Sequence, residues 1–411
     1  MNQELLKEYA RLVVRVGVNI QRDQILVVSA PIECADFARR IAGEAFAAGA
    51  HDVVMNWGDE LFSHIRFANG TRALFTEFPE WRRAFYTDYA EQGAAFVTIA
   101  ARDPGLFADI EPEKLALAKQ AAGAALMEYR ARLMRNKNTW CIVSIPTKRW
   151  AKKVFSALSE EEAVARLWQE IFATVRVGAG CDTVRAWQEH IAFLKKAADF
   201  MNANDFAYLH YTNACGTDLT VELPEGHIWA GGAEQSACGT VFVANMPTEE
   251  IYTLPRRNGV NGTVVATKPL NCNGNLIEGF SLTFEAGKVV NFQAEKGEET
   301  LRQLLAMDEG ASYLGEVALV PHDSPISNSG ILFYNTLFDE NAACHLALGK
   351  AYPTCIAGGE EMDSVELARC GVNDSLVHED FMVGSGDLSI VGTRRSDGKE
   401  VQVFKDGNFV F

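Results

Sequence analysis

The residues best suited to chemistry are carboxylates and imidazoles in the C-terminal half, in four short segments. In Tyr313 to Val320 (YLGEVALV), strand alternation sets Glu316 on one face with Leu314, Ala318 and Val320. A carboxylate among apolar neighbours needs a partner, either a salt bridge or a cation. Asp339 to Tyr352 (DENAACHLALGKAY) is rich in Ala and Leu, with Asp339 and Glu340 where a helix start favours acid, so a helix is predicted over Glu340 to Ala351. That helix would align Asn341, His345, Leu348 and Tyr352 on one stripe. Leu376 to Val383 (LVHEDFMV) alternates as a strand, with His378, Asp380 and Met382 on one face. The pair could share a hydrogen bond that fixes the imidazole tautomer, or present nitrogen and oxygen to zinc, cobalt or manganese. Val241 to Glu250 (VFVANMPTEE) runs a strand into a proline-stiffened turn ending in Glu249 and Glu250, and spacing does not choose between them.

Each segment alone has a structural explanation, a buried ion pair or a satisfied histidine. Together they supply an oxygen-rich donor set with two imidazoles, suited to two metal ions bridged by a glutamate and to hydrolysis by activated water. The helix motif H-E-x-x-H of one-zinc proteases is missing from the sequence. The nine cysteines are scattered without a C-x-x-C pair, which disfavours a cysteine zinc site and fits free thiols in a reducing compartment.

The elements that must position these groups fall into two kinds. The N-terminal half alternates apolar runs with amphipathic stretches: Gln24 to Ser29, Glu33 to Ala48, Asp52 to Asn56, Ala95 to Ala100, a long helical stretch from Glu111 to Asn136, and Trp140 to Ile145. That rhythm predicts an α/β domain, a sheet flanked by helices, over residues 1–204. No G-x-G-x-x-G follows its first strand, so no nucleotide site is expected. Helical sequence from Glu160, with Ser159 near its start, leads to the domain transition. Residues 205–411 then switch to alternation with hairpin turns such as Glu285-Ala286-Gly287 and Asp406-Gly407-Asn408, which predicts a β-rich α+β catalytic domain with helices at Glu298 to Asp308 and Glu340 to Ala351.

Composition excludes several classes. With 38 basic against 54 acidic residues, the net charge of −16 argues against nucleic acid as a partner. Charged residues interrupt the first twenty positions, so they make no signal-peptide core, and no apolar run is long enough to span a membrane; a cytoplasmic protein is expected.

The segments NMPTEEIYTLP, GEVALVPHDSPIS, FDENAACHLALGKAY and HEDFMVGSGDLSIVG, with the opening LVVRVGVNIQRDQILVVSAP, closely resemble the aminopeptidase T / aminopeptidase S family of thermophilic-type metallo-aminopeptidases. The resemblance spans nearly the whole chain. It implies an exopeptidase with two divalent metal ions (zinc, cobalt, manganese or magnesium), acting on peptides with a free N-terminus and assembling as a homodimer. Carried over by motif, the metal ligands would be Glu250, Glu316 as the bridge, Glu340, His345, His378 and Asp380, with Tyr352 a catalytic hydrogen-bonding group beside them. Read without the resemblance, a dinuclear hydrolase of another amide or ester bond, or a non-catalytic binding protein, would fit the same residues.

Overall fold

The computed structural model describes residues 2–272 and 275–411, and the described residues divide into two compact units: those up to 189 together with 233–247, and those of 190–232 together with those from 248 onward.

The first unit is built on a parallel sheet. Strands β1 (Ile25–Pro31), β2 (Asp52–Gly58), β3 (Ala95–Ile99) and β4 (Trp140–Val143), with the short Asn245–Met246, lie in the order Asn245–Met246, β4, β3, β1, β2. Every neighbour pair runs parallel, as strands joined through helices do. Helix α1 (Ala35–Ala47) buries Phe37, Ala38, Ile41 and Ala45, the spacing of a single helical face. Helix α2 (Glu60–Asn69) follows β2, and α3 (Glu160–Thr174) comes after β4. Tyr9 packs at 5.0 Å against Phe37, whose ring meets Trp168 of α3 at 6.2 Å. At the start of α3, Ser159 accepts from the Glu162 amide while the Glu162 carboxylate accepts from the Ser159 amide, so two otherwise open donors are met. The expected helix from Glu111 to Asn136 is two, Pro112–Ala125 and Met127–Met134, broken at Leu126. The fold class expected for this half, a sheet flanked by helices, is the one observed.

The second unit is antiparallel. Helix α4 (Thr183–Asn204) leads toward an eight-stranded sheet whose central hairpin is Phe206–Thr212 with Asp218–Glu222. The turn at Ala286-Gly287 needs glycine: Gly287 has φ +83°, and a Cβ there would lie 1.8 Å from the Arg257 carbonyl oxygen. A second sheet of five strands contains β5 (Ile251–Thr253), β6 (Leu314–Leu319), β7 (His345–Gly349) and β8 (His378–Met382), ordered β8, β7, β6, β5, Ala230–Gly231.

Here the structure corrects the sequence reading. His345–Gly349 is a strand, not part of a helix, and the expected stripe of Asn341, His345, Leu348 and Tyr352 does not exist. The helical residues before it are a short α-helix, Thr336–Asp339, and a turn of 3-10 helix, Glu340–Ala342. The reason is burial on both faces: all five residues of β7 are buried between β6 and β8, so the segment is short and wholly apolar apart from His345, and helix preference yields to the sheet.

Candidate metal centre

The five-stranded sheet sorts its residues onto two faces. The register pairs Val317 with Leu346 and Leu346 with Phe381, and these join Ile251, Leu319 and Leu348 in the hydrophobic core. The opposite face is chemical. Glu316 pairs with Ala347 and Ala347 with Asp380, while Ala318 pairs with His345 and with Tyr252, and Gly349 pairs with His378. Since paired residues share a face and i, i+2 residues follow them, Tyr252, Glu316, His345, His378 and Asp380 project together.

One irregularity makes this arrangement. Between Leu314 and Glu316 the register shifts by a residue, so that Leu314 pairs with Leu348 on the core face while Glu316 pairs with Ala347 on the other. Leu314 and Glu316 therefore do not share a face, contrary to simple alternation, and Leu314 belongs to the core. The bulge is built on Gly315, where a Cβ would lie 2.3 Å from the Gly349 carbonyl oxygen. A glycine inside a strand pattern beside a carboxylate is the sign of it that the sequence carries.

On that face the side chains converge. His345 Nε2 lies 3.2 Å from Glu250 Oε2 and 3.5 Å from Glu316 Oε1. His378 Nε2 lies 3.6 Å from Glu316 Oε2 and 3.4 Å from Asp380 Oδ1. Glu316 thus turns one oxygen to each imidazole. Two triads result, Glu250–Glu316–His345 and Glu316–His378–Asp380, each able to offer ligand atoms within 4.8 Å of one another, with Glu316 common to both. Glu250, not Glu249, lies against His345; Glu249 is buried and its Oε2 is 3.6 Å from His190. Glu340 belongs to neither triad but is close enough to feel Glu250, Asp380 and Glu316. Tyr352 leaves the strand after Gly349 and places its ring 4.9 Å from that of His378. It reaches the cluster by a route other than the helical stripe expected for it.

The electrostatics call for positive charge. Burial pushes the carboxyls of Glu316 and Glu340 above their usual range, and neighbouring carboxylates add to it. Burial alone would lower the imidazoles, yet the carboxylates outweigh it: His345, between Glu250 and Glu316, is held well above its usual value, and His378, beside Asp380, is pushed up to about 9. Burial and then the surrounding carboxylates likewise raise the Tyr352 phenol.

The donor set also fits a cation. His345 Nδ1 donates to the Ala343 carbonyl at 3.2 Å and His378 Nδ1 to the Lys350 carbonyl at 2.7 Å, so in the neutral rings Nε2 carries the lone pair. Those lone pairs point at carboxylate oxygens. Among the described residues, the buried Glu250 Oε2 and Asp380 Oδ1 have no properly formed hydrogen bond. Acceptor facing acceptor at 3.2 to 3.4 Å is repulsive unless a proton or a cation stands among them. Carboxylate and imidazole are the ligands of zinc, cobalt and manganese.

Four carboxylates, Glu250 and Glu316 buried and Glu340 and Asp380 partly so, surround two tautomer-fixed imidazoles, a donor set able to hold divalent cations of the kind metal-dependent hydrolases use. Comparison with known proteins is more particular. Residues 2–409 match the thermophilic metalloprotease (M29) family. The chain is 50% identical to Aminopeptidase 2 of Geobacillus stearothermophilus over 406 residues, covering 99% of this chain and 98% of that protein. It is 41% identical to Aminopeptidase T of Thermus aquaticus over 407 residues, again 99% and 98% of the two chains. The fold superposes on the solved structure of wild-type AmpT from Thermus thermophilus with a TM-score of 0.93, at 38% identity and full coverage of both chains. The chain belongs to the M29 metalloprotease family, as its four motifs implied. Its expected fold class holds for both halves.

Proposed function

We propose that this chain is a metal-dependent aminopeptidase that releases N-terminal amino acids from peptides at a pair of divalent cations, zinc, cobalt, manganese or magnesium. The observation that carries the reading is Glu316, whose two oxygens face two different imidazoles. Glu250, Glu316 and His345 would hold one cation; Glu316, His378 and Asp380 would hold the other, with Glu340 a further carboxylate toward the pair. When bound, such a pair supplies Lewis acidity and brings the pKa of a shared water to about 7. Tyr352, whose ring lies 4.9 Å from that of His378, would donate its phenolic proton in a hydrogen bond to the oxyanion that develops on the scissile carbonyl. Its raised pKa keeps that proton in place at neutral pH.

The restriction to free N-termini rests on the relatives, whose names make them aminopeptidases. The same reading makes the protein cytoplasmic. Among the described residues, no helix is long and apolar enough to cross a membrane. The reading also makes it a homodimer: α2 buries none of its residues and exposes Leu61, Phe62 and Ile65, an apolar face suited to a second copy. Light scattering on the purified protein measures that mass directly.

Aminoacyl anilides assayed beside their N-blocked counterparts and phosphoesters, with added cobalt or zinc, test the activity. Cleavage of the free-amine anilides alone is expected. Turnover of blocked peptides would remove the exopeptidase reading, and turnover of phosphoesters alone would remove peptidase activity.

A further inference from the structure

Asn341 is fully buried, a costly place for a primary amide unless its polar atoms are met. They are met from the two segments that carry the outlying carboxylates of the metal centre. Oδ1 accepts from the backbone N–H of Glu249 at 2.7 Å, and Nδ2 donates to the Leu337 carbonyl at 3.2 Å and to Glu340 Oε1 at 3.4 Å. Glu249 is the chain neighbour of Glu250, so its anchored N–H pins the turn from which Glu250 reaches His345. On its other side the same turn is held by His190, whose Nε2 lies 2.8 Å from the Thr248 carbonyl oxygen.

We infer that Asn341 is a positioning residue that locks the carboxylates of Glu250 and Glu340 into one arrangement for metal binding. It acts through a peptide N–H on one side and a carboxylate oxygen on the other. The two segments are far apart in sequence, and neither Glu250, at the mouth of β5, nor Glu340, in a single turn of 3-10 helix, sits within a strand that would fix its direction. A buried amide bridging them supplies the missing constraint, as groups that orient metal ligands do. The inference rests on the metal reading above.

The test is the affinity and visible spectrum of Co²⁺ bound to the full-length protein, in wild type, Asn341→Ala and Asn341→Asp. Asn341→Ala is expected to weaken Co²⁺ binding by about 10–100-fold and to alter the d–d bands. It should lower kcat at fixed cobalt by a similar factor while KM for an aminoacyl anilide changes little. If Asn341→Ala does not melt cooperatively, Asn341→Asp is read in its place; it keeps the acceptor for Glu249 but sets a carboxylate oxygen against Glu340, so weaker binding and altered bands are again expected. A folded variant with wild-type affinity, spectrum and kcat overturns the role of Asn341. A wild-type protein that binds no Co²⁺ overturns the metal reading itself, which separates the two failures.

Discussion

Gly315 and Gly349 lie in adjacent strands so close that a Cβ on the first would come within 2.3 Å of the carbonyl oxygen of the second. That contact lets β6 carry one extra residue and turn Glu316 out of the core onto the chemical face. The clash is with backbone, which has nowhere to retreat in the middle of a sheet. Gly315→Ala should therefore cost about 1–3 kcal/mol in stability and lower kcat/KM by up to about a hundredfold through misplacement of Glu316. Thermal melts and anilide kinetics check both, and wild-type kinetics in the variant would show that the bulge does not aim Glu316.

Glu316→Gln keeps the size of the side chain and removes the charge facing both imidazoles. The variant should fold, bind fewer metal ions than wild type, and lose more than the ~10–100-fold that removal of an outer partner costs. Near-normal turnover would deny Glu316 its bridging role.

Tyr352→Phe removes one hydroxyl and leaves the ring against His378. A fall of about 10²–10³ in kcat with metal content unchanged is expected for the loss of one oxyanion donor. Loss of metal instead would make the phenol a ligand.

The acid limb of stability should depend on His227. It is buried, its Nδ1 donates to the Pro224 carbonyl at 2.9 Å, and burial holds its imidazole below the usual value, with Asp205 opposing and Arg395 adding to the shift. The unfolded chain takes up a proton near pH ~6.5 while the folded protein does not, so stability present above that pH is lost as the pH falls toward the lowered folded value. Melting temperatures of wild type and His227→Gln across pH 5 to 7 should show a shallower slope in the variant; parallel slopes would assign the acid sensitivity elsewhere.

Much of this architecture is legible in the sequence alone. The β-α-β rhythm of the first half declares itself because each run has length, period and a clean break, as in Ile25–Pro31 followed by Ala35–Ala47. His378 and Asp380 fall on one face because β8 is regular, while Phe381 on its other face and Val383 just beyond its end join the core. His345 is misread as helical because a strand buried on both faces has no period to show, and His-Leu-Ala-Leu fits a helix equally well. The direction of Glu316 depends on a one-residue slip caused by a neighbour thirty-odd positions away, which no local pattern contains. The bridging of Glu249 and Glu340 by Asn341 is likewise a tertiary fact.

Metal stoichiometry decides whether the carboxylate and imidazole face holds cations. Protein purified without chelator, stripped, and titrated with Co²⁺ or Zn²⁺ under elemental analysis should take up two ions per chain and recover aminopeptidase activity as the sites fill. No stoichiometric metal under any loading, with the protein folded, would contradict the account and return the four carboxylates and two imidazoles to the status of a paired core.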